Sequence, residues 1–175
     1  KMRILITLLL YSISFSQVFS TYDYVGSRAT AMSGSITSGP GGTWSIFHNP
    51  AQLSELSEFE VISGHCQIYN LSFLPYSNFG LVYNGWAINF EKLSTDINST
   101  TLSSESVFGL SKGFIVYKDR QSIIQAGLRV NLYRYDLGQS AGSEGDGTLG
   151  INLGNGSAKG LDIGFQGVLN NKYYI

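Results

Sequence analysis

The sequence predicts an all-β protein, an antiparallel transmembrane β-barrel entered by an irregular N-terminal segment. Three observations lead there. Charged residues are 13% of the 175-residue chain, about half the share of a typical soluble domain, while Gly (21), Tyr (11) and Phe (10) are abundant. From about Phe59 onward apolar residues recur at every second position, the period of a strand with two unlike faces. The links between these runs alternate between tight turns and long polar stretches, as in a barrel with short turns at one rim and long loops at the other.

At the start of the chain Lys1 and Arg3 precede an apolar stretch, Ile4 to Ile13, broken only by Thr7, Tyr11 and Ser12. That order, with small residues at Ser14, Ser16 and Ser20, is the order of a secretory signal peptide. Residues 1–20 are therefore expected to carry the protein through the inner membrane and be removed. The stretch is too short to span a bilayer, and no apolar run of about 18 residues follows it, which excludes a bundle of membrane helices. Residues 21–58 do not alternate. Gly39-Pro40-Gly41-Gly42 and many Ser and Thr predict irregular structure with at most a short helix around Arg28 to Ser35, a segment able to plug a wide barrel.

Strands are expected near 59–66, 70–83, 86–93, 105–117, 122–136, 160–169 and from 172 onward, so that residues 59–175 supply about seven strands. Asn84-Gly85 is a two-residue hairpin signal, and Lys118 to Gln121 and Asn170-Asn171 are further tight turns. Ser94 to Ser104 and Gly138 to Lys159 read as long loops at the opposite rim. The faces follow from the alternation. Trp86, Ile88, Phe90, Ile124, Leu128, Val130, Leu132, Leu161, Ile163 and Phe165 are expected to face lipid. Asn89, Glu91, Gln125, Arg129, Asn131, Asp162 and Gln166 are expected to face the lumen, where Arg129→Leu should be tolerated. Lys112 falls on the apolar face, which calls for a bulge or for a position at the membrane edge where its ammonium can snorkel.

Residues 26–35 read Gly-Ser-Arg-Ala-Thr-Ala-Met-Ser-Gly-Ser, and residues 47–53 read Phe-His-Asn-Pro-Ala-Gln-Leu. This two-part pattern resembles the mature N-terminus of the FadL-like outer-membrane proteins, and is most similar to the PorV/PorQ branch. Ser33 and Ser35 depart from the Gly and Ala usual there, and an acidic pair common between the halves is replaced by Ser38-Gly39-Pro40-Gly41-Gly42. The resemblance implies a barrel of about fourteen strands, of which this chain would be the first half. It implies a plug motif of Gly26, Arg28, Ala29, Met32, Gly34, Asn49, Pro50, Ala51 and Leu53. It also implies a place in the bacterial outer membrane and a role in type IX secretion, binding exported proteins. The wider family implies the alternative, transport of hydrophobic small molecules. Arg28 is expected to pair with a lumenal acid such as Glu91 or Asp162.

Enzyme chemistry has little support. His48 and His65 are the two histidines, and no Gly-x-Ser-x-Gly is present. Gly145-x-Gly147-x-x-Gly150 lies in a Gly/Ser loop without the strand and helix a dinucleotide site needs. The single Cys66 rules out an internal disulfide, and a net charge of −1 gives no footprint for nucleic acid. No cofactor or metal is expected; the expected partner is outer-membrane lipid, with exported proteins or a hydrophobic small molecule.

Overall fold

Seven antiparallel strands pair in the order in which the chain makes them, each with its neighbour alone. They are β1 (Glu60–Gln67), β2 (Pro75–Tyr83), β3 (Trp86–Ile97), β4 (Thr100–Lys118), β5 (Ser122–Asp136), β6 (Asn155–Leu169) and β7 (Tyr173–Tyr174). The computed structural model describes residues 26, 31–32, 36–39, 42–97, 100–140, 142, 150–170 and 173–174. The expected signal peptide, and Arg28, Ala29 and Gly34 of the expected plug motif, lie outside them. Before β1 stand a one-turn helix, α1 (Ser45–His48), and a 3₁₀ helix, Pro50–Glu55. β1 and β7 do not pair with each other, so the described sheet is open.

Local chemistry explains the joins. Asn84 and Gly85 both take positive φ (47° and 72°), the conformation a type I′ hairpin demands and these residue types accept. Asn170, φ 52°, opens the turn after β6 in the same way. β2 starts at Pro75, five residues later than the alternation suggests. Tyr69 and Asn70 turn left-handed, and the Ile68 amide donates to the Leu74 carbonyl at 3.1 Å to close a loop in front of Pro75.

The stretch from Ser94 to Ser104 is corrected from loop to strand. β3 runs on to Ile97 and β4 begins at Thr100, with a bulge at Thr95/Asp96. Hydroxyls hold this polar extension: Ser103 Oγ donates to Thr95 Oγ1 at 3.1 Å and Thr101 Oγ1 to Asp96 Oδ1 at 2.7 Å. β-Branched Thr favours extended backbone, so a polar run here makes a projecting hairpin. β6 likewise starts at Asn155, and the loop before it is pinched by a bridge between Gln139 and Asn152.

The register sorts the two faces. One carries apolar residues strand after strand: Val61, Leu81, Ile88, Leu110, Val130 and Leu161 lie side by side in one rung across six strands. The rungs on either side hold Tyr83, Trp86, Lys112, Leu128 and Ile163, and Phe79, Phe90, Phe108, Leu132 and Lys159. Most of these side chains are exposed, Leu161 to 63%, as is Phe165 on the same face, while Leu81 and Lys112 are half-buried. All ten residues expected to face lipid are on this bare face. Along β5 the band runs from Ile124 to Leu132, about 26 Å at ~3.3 Å per residue. No helix among the described residues is long and apolar enough to cross a membrane.

Lys112 does lie on the apolar face, and its chain reaches for the rim. Its ammonium donates to the Asn84 carbonyl at 2.8 Å in the tight turn and sits 5.2 Å over the Trp86 ring. The nearby β4 bulge falls at Ile115/Tyr117 instead.

The other face, called inner below, carries α1 and the 3₁₀ helix. Ile46 and Leu53 pack with Val82 and Ala87, while Trp44 and Phe47 cover Ile68, Tyr76 and Leu93. The core of the described residues is thus the contact between segment and sheet.

Candidate functional site

Asn49 organises the segment. Pro50 fixes φ at the first position of the 3₁₀ helix, where its missing N–H is no loss, and Asn49 Oδ1 accepts the Ala51 amide at 3.0 Å as an N-cap. The Asn49 amide group donates to the carbonyls of Thr37 (2.8 Å) and Phe165 (3.2 Å), tying the turn to the preceding chain and to β6. Gln52 Nε2 reaches the carbonyls of Ile36 (3.2 Å) and Thr37 (3.0 Å). Asn49→Ala is expected to lower stability by about 1 kcal/mol through the lost cap alone, and more through the lost wall bond, measured by urea titration.

Opposite this turn the sheet has no side chains. Gly113, Gly127 and Gly164 stand in one rung across β4, β5 and β6. A Cβ on Gly127 would collide with the backbone of Pro50 and Ala51, one on Gly113 with Leu53 and Ser54, and one on Gly164 with Asn49 and Pro50. The three glycines make a trough in which backbone lies on backbone.

Polar clamps flank the trough. Arg129 gives Nε and Nη2 to Asp162 at 2.8 and 2.7 Å, and Nη1 to the Ile46 carbonyl at 2.6 Å. That carbonyl, in the last turn of α1, has no intrahelical partner, so the guanidinium caps it. Asn131 Nδ2 donates to the same Asp162 carboxylate at 2.8 Å. Gln125 donates to Glu55 at 2.7 Å and Gln166 to the Gly39 carbonyl at 2.9 Å. At the front of the segment Thr43 hydrogen-bonds Glu60.

All seven residues expected on the wet face therefore share the inner face: Gln125, Arg129 and Gln166 bond the segment directly, and Asp162 and Asn131 are joined to it through Arg129. Asn89 is buried in the same wall, with Glu91 accepting from the Tyr76 hydroxyl at 2.7 Å. Asp162, named as a partner for Arg28, is held by Arg129. The expectation that Arg129→Leu would be tolerated is corrected: it strips the Ile46 carbonyl and leaves Asn131 as the remaining partner of Asp162 among the described residues. The side chains of Arg129 and Asp162 are 14% and 38% exposed. The predicted loss is about 1–3 kcal/mol, discounted toward the lower end by that exposure, and a double-mutant cycle with Asp162→Asn should return a positive coupling.

Of the expected plug motif, Asn49, Pro50, Ala51 and Leu53 are buried in the trough, Gly26 lies against the Trp44 ring, and Met32 is 41% exposed. Sequence reasoning missed Gly113, Gly127 and Gly164 as site residues, and the contribution of Trp44, Ile46 and Gln52. A hollow of about 400 Å³ beside the turn is lined by His48, Asn49, Arg129, Tyr133 and Asp162 among others. His65 lies on the bare face, where its Nδ1 is 2.9 Å from Ser77 Oγ. Among the described residues no group of three His, Cys, Asp or Glu is placed to hold a metal. The arrangement can hold and release a segment of backbone, and it can present a polar, charge-compensated hollow. Comparison with family models, with curated proteins and with solved structures finds no match to this chain.

Proposed function

We propose that the chain is the first part of an outer-membrane β-barrel of the PorV/PorQ type, non-enzymatic, whose lumen is plugged by the Asn49-Pro50 segment. One observation carries the reading: the sheet is apolar and bare on one face, and polar on the other where the segment sits in a glycine trough. A water-soluble protein rarely leaves so continuous an apolar surface uncovered, and a strand crossing of ~9–11 residues matches the band on β5. The resemblance of residues 26–35 and 47–53 to the FadL-like pattern supports the same assignment.

Within that reading the barrel serves as an accessory to type IX secretion, receiving exported proteins at the outer membrane. The β3–β4 hairpin projects Ser and Thr beyond the apolar band as a surface for a protein to meet, and the hollow beside the plug holds the Arg129–Asp162 ion pair in its lining. A photo-crosslinking amino acid at Thr101, exposed near the hairpin tip, tests it in the native membrane. Crosslinks to an exported protein, identified by mass spectrometry, are the expected result; crosslinks to nothing but lipid would overturn it.

The second reading, transport of a hydrophobic small molecule, has one observation in its favour. Trp44 and Phe47 fill an apolar recess of Ile68, Tyr76, Leu93 and Leu74 that their withdrawal would open. A stoichiometric fatty acid in native mass spectra of gently extracted protein, without a protein partner, would favour it.

A further inference from the structure

Just beyond the apolar band, on the side of the β3–β4 hairpin, the bare face changes chemistry within one rung. Phe90, Phe108 and Leu132 stand in register with Lys159; the next rung holds His65, Ser77, Lys92, Ser106, Arg134 and Ser157. Lys92, Arg134 and Lys159 are all exposed. None has a carboxylate partner among the described residues. The acid nearest on this face, Asp136, two residues along from Arg134, accepts the Gly138 amide at 2.9 Å. Glu105 falls in register with Leu93 and Tyr135 on the inner face, and Asp96 is engaged by Ser94 and Thr101. At this level, then, the wall is apolar below and cationic above.

The surface there is also dished. A hollow of about 710 Å³ is lined by Phe90, Phe108, Leu132, Arg134 and Lys159 together with the start of β6. Lys92 and Arg134 are two strands apart, about 10 Å, and Lys159 sits one strand over and one rung down toward the apolar band. An acyl chain laid along Phe90, Phe108 and Leu132 would bring its headgroup between these cations. Arg offers a planar fork of donors that fits phosphate oxygens, and Lys a mobile point charge beside it. A zwitterionic headgroup would bring its own cation into the same space.

We infer that this hollow is a binding site for a phosphate-bearing lipid of the leaflet on the hairpin side, its chains on Phe90, Phe108 and Leu132 and its phosphate held by Lys92, Arg134 and Lys159. The site rests on the membrane reading above. It goes beyond a general preference of basic residues for membrane interfaces because Arg134 and Lys159 line one hollow, Lys92 stands in the same rung as Arg134, and none of the three has a carboxylate partner among the described residues.

The test uses the full chain in phosphatidylcholine nanodiscs doped with dioleoyl phosphatidic acid, with native mass spectrometry reading the lipid retained after the disc is stripped. The expected result is one phosphatidic acid held per protein, with retention falling about tenfold in the Lys92→Gln/Arg134→Gln/Lys159→Gln variant and unchanged in a variant carrying the same substitutions at Lys118 and Arg120. Equal retention of phosphatidylcholine, or equal retention by the triple variant, would overturn the site while leaving the membrane reading intact. Displacement of the lipid by millimolar inorganic phosphate would overturn the lipid as occupant. Failure of wild type and variant alike to enter the disc would overturn both readings, and that failure is visible before any lipid is counted.

Discussion

Gly127→Ala is expected to unseat the Asn49-Pro50 segment while leaving the strands paired. The new methyl would lie inside contact distance of the Pro50 and Ala51 backbone, and no rotamer can relieve a clash between Cβ and main chain. Either the segment or β5 must move. β5 is hydrogen-bonded along its length to β4 and β6, so the segment yields. Its hold consists of a few hydrogen bonds, about 0.5–1.5 kcal/mol each net, and of Ile46 and Leu53, about 1.5–3 kcal/mol each when fully buried. The entropy of ordering the segment offsets much of this. A loss of about 3 kcal/mol in docking is predicted, toward the upper end for overpacking because the clash is with backbone. The measurement is maleimide labelling of Ser45→Cys in a Cys66→Ser background, since Ser45, in α1 of the segment itself, is buried while the segment is seated. Labelling should accelerate about 100-fold, the rate equivalent of that loss. Gly156→Ala, where an added carbon meets nothing within 4 Å, should label at the parental rate. Equal rates for the two variants would refute the trough.

Val130→Arg should cost about 2–4 kcal/mol in a bilayer, because Val130 lies inside the apolar band, between Leu110 and Leu161. Ser106→Arg, two rungs beyond it on the same face and already beside Lys92 and Arg134, should cost no more than about 1 kcal/mol. Urea titration of the protein folded in vesicles, followed by tryptophan emission, gives both values. An exposed site in water would show a difference within about 0.5 kcal/mol. Such a small difference would reject the assignment of this face to lipid.

How much could be read from the chain depended on whether the information was local. β5 falls at residues 122–136 in sequence and structure alike, because five apolar residues at alternate positions admit only one phase. Asn84-Gly85 fixed a hairpin by its own dihedral preferences. The Ser/Thr run after Ser94 misled, since polar residues without apolar alternation look like a loop when both faces carry hydroxyls. The trough was hidden for another reason. A glycine in a strand reads as a gap, and nothing local says that residues 113, 127 and 164 share a rung. Arg129 was legible as a wet-face residue, but one partner is the backbone carbonyl of Ile46, which no side-chain pattern encodes.

The trough also fixes an order of assembly. Its three glycines arrive on β4, β5 and β6, so the segment beginning at Asn49 must wait for chain that ends more than a hundred residues later before it has anywhere to lie. Every pairing in the sheet joins neighbours in the chain and can form as a zipper, the longest closure being the link between β5 and β6. Docking of the segment is the long-range closure, slow to find and possible only on a finished wall. A chain halted before β6 would hold a segment without its berth, open to proteolysis. Seating of Asn49-Pro50 is therefore the last folding event of this part of the protein, and a molecule in which it has occurred has passed its own inspection.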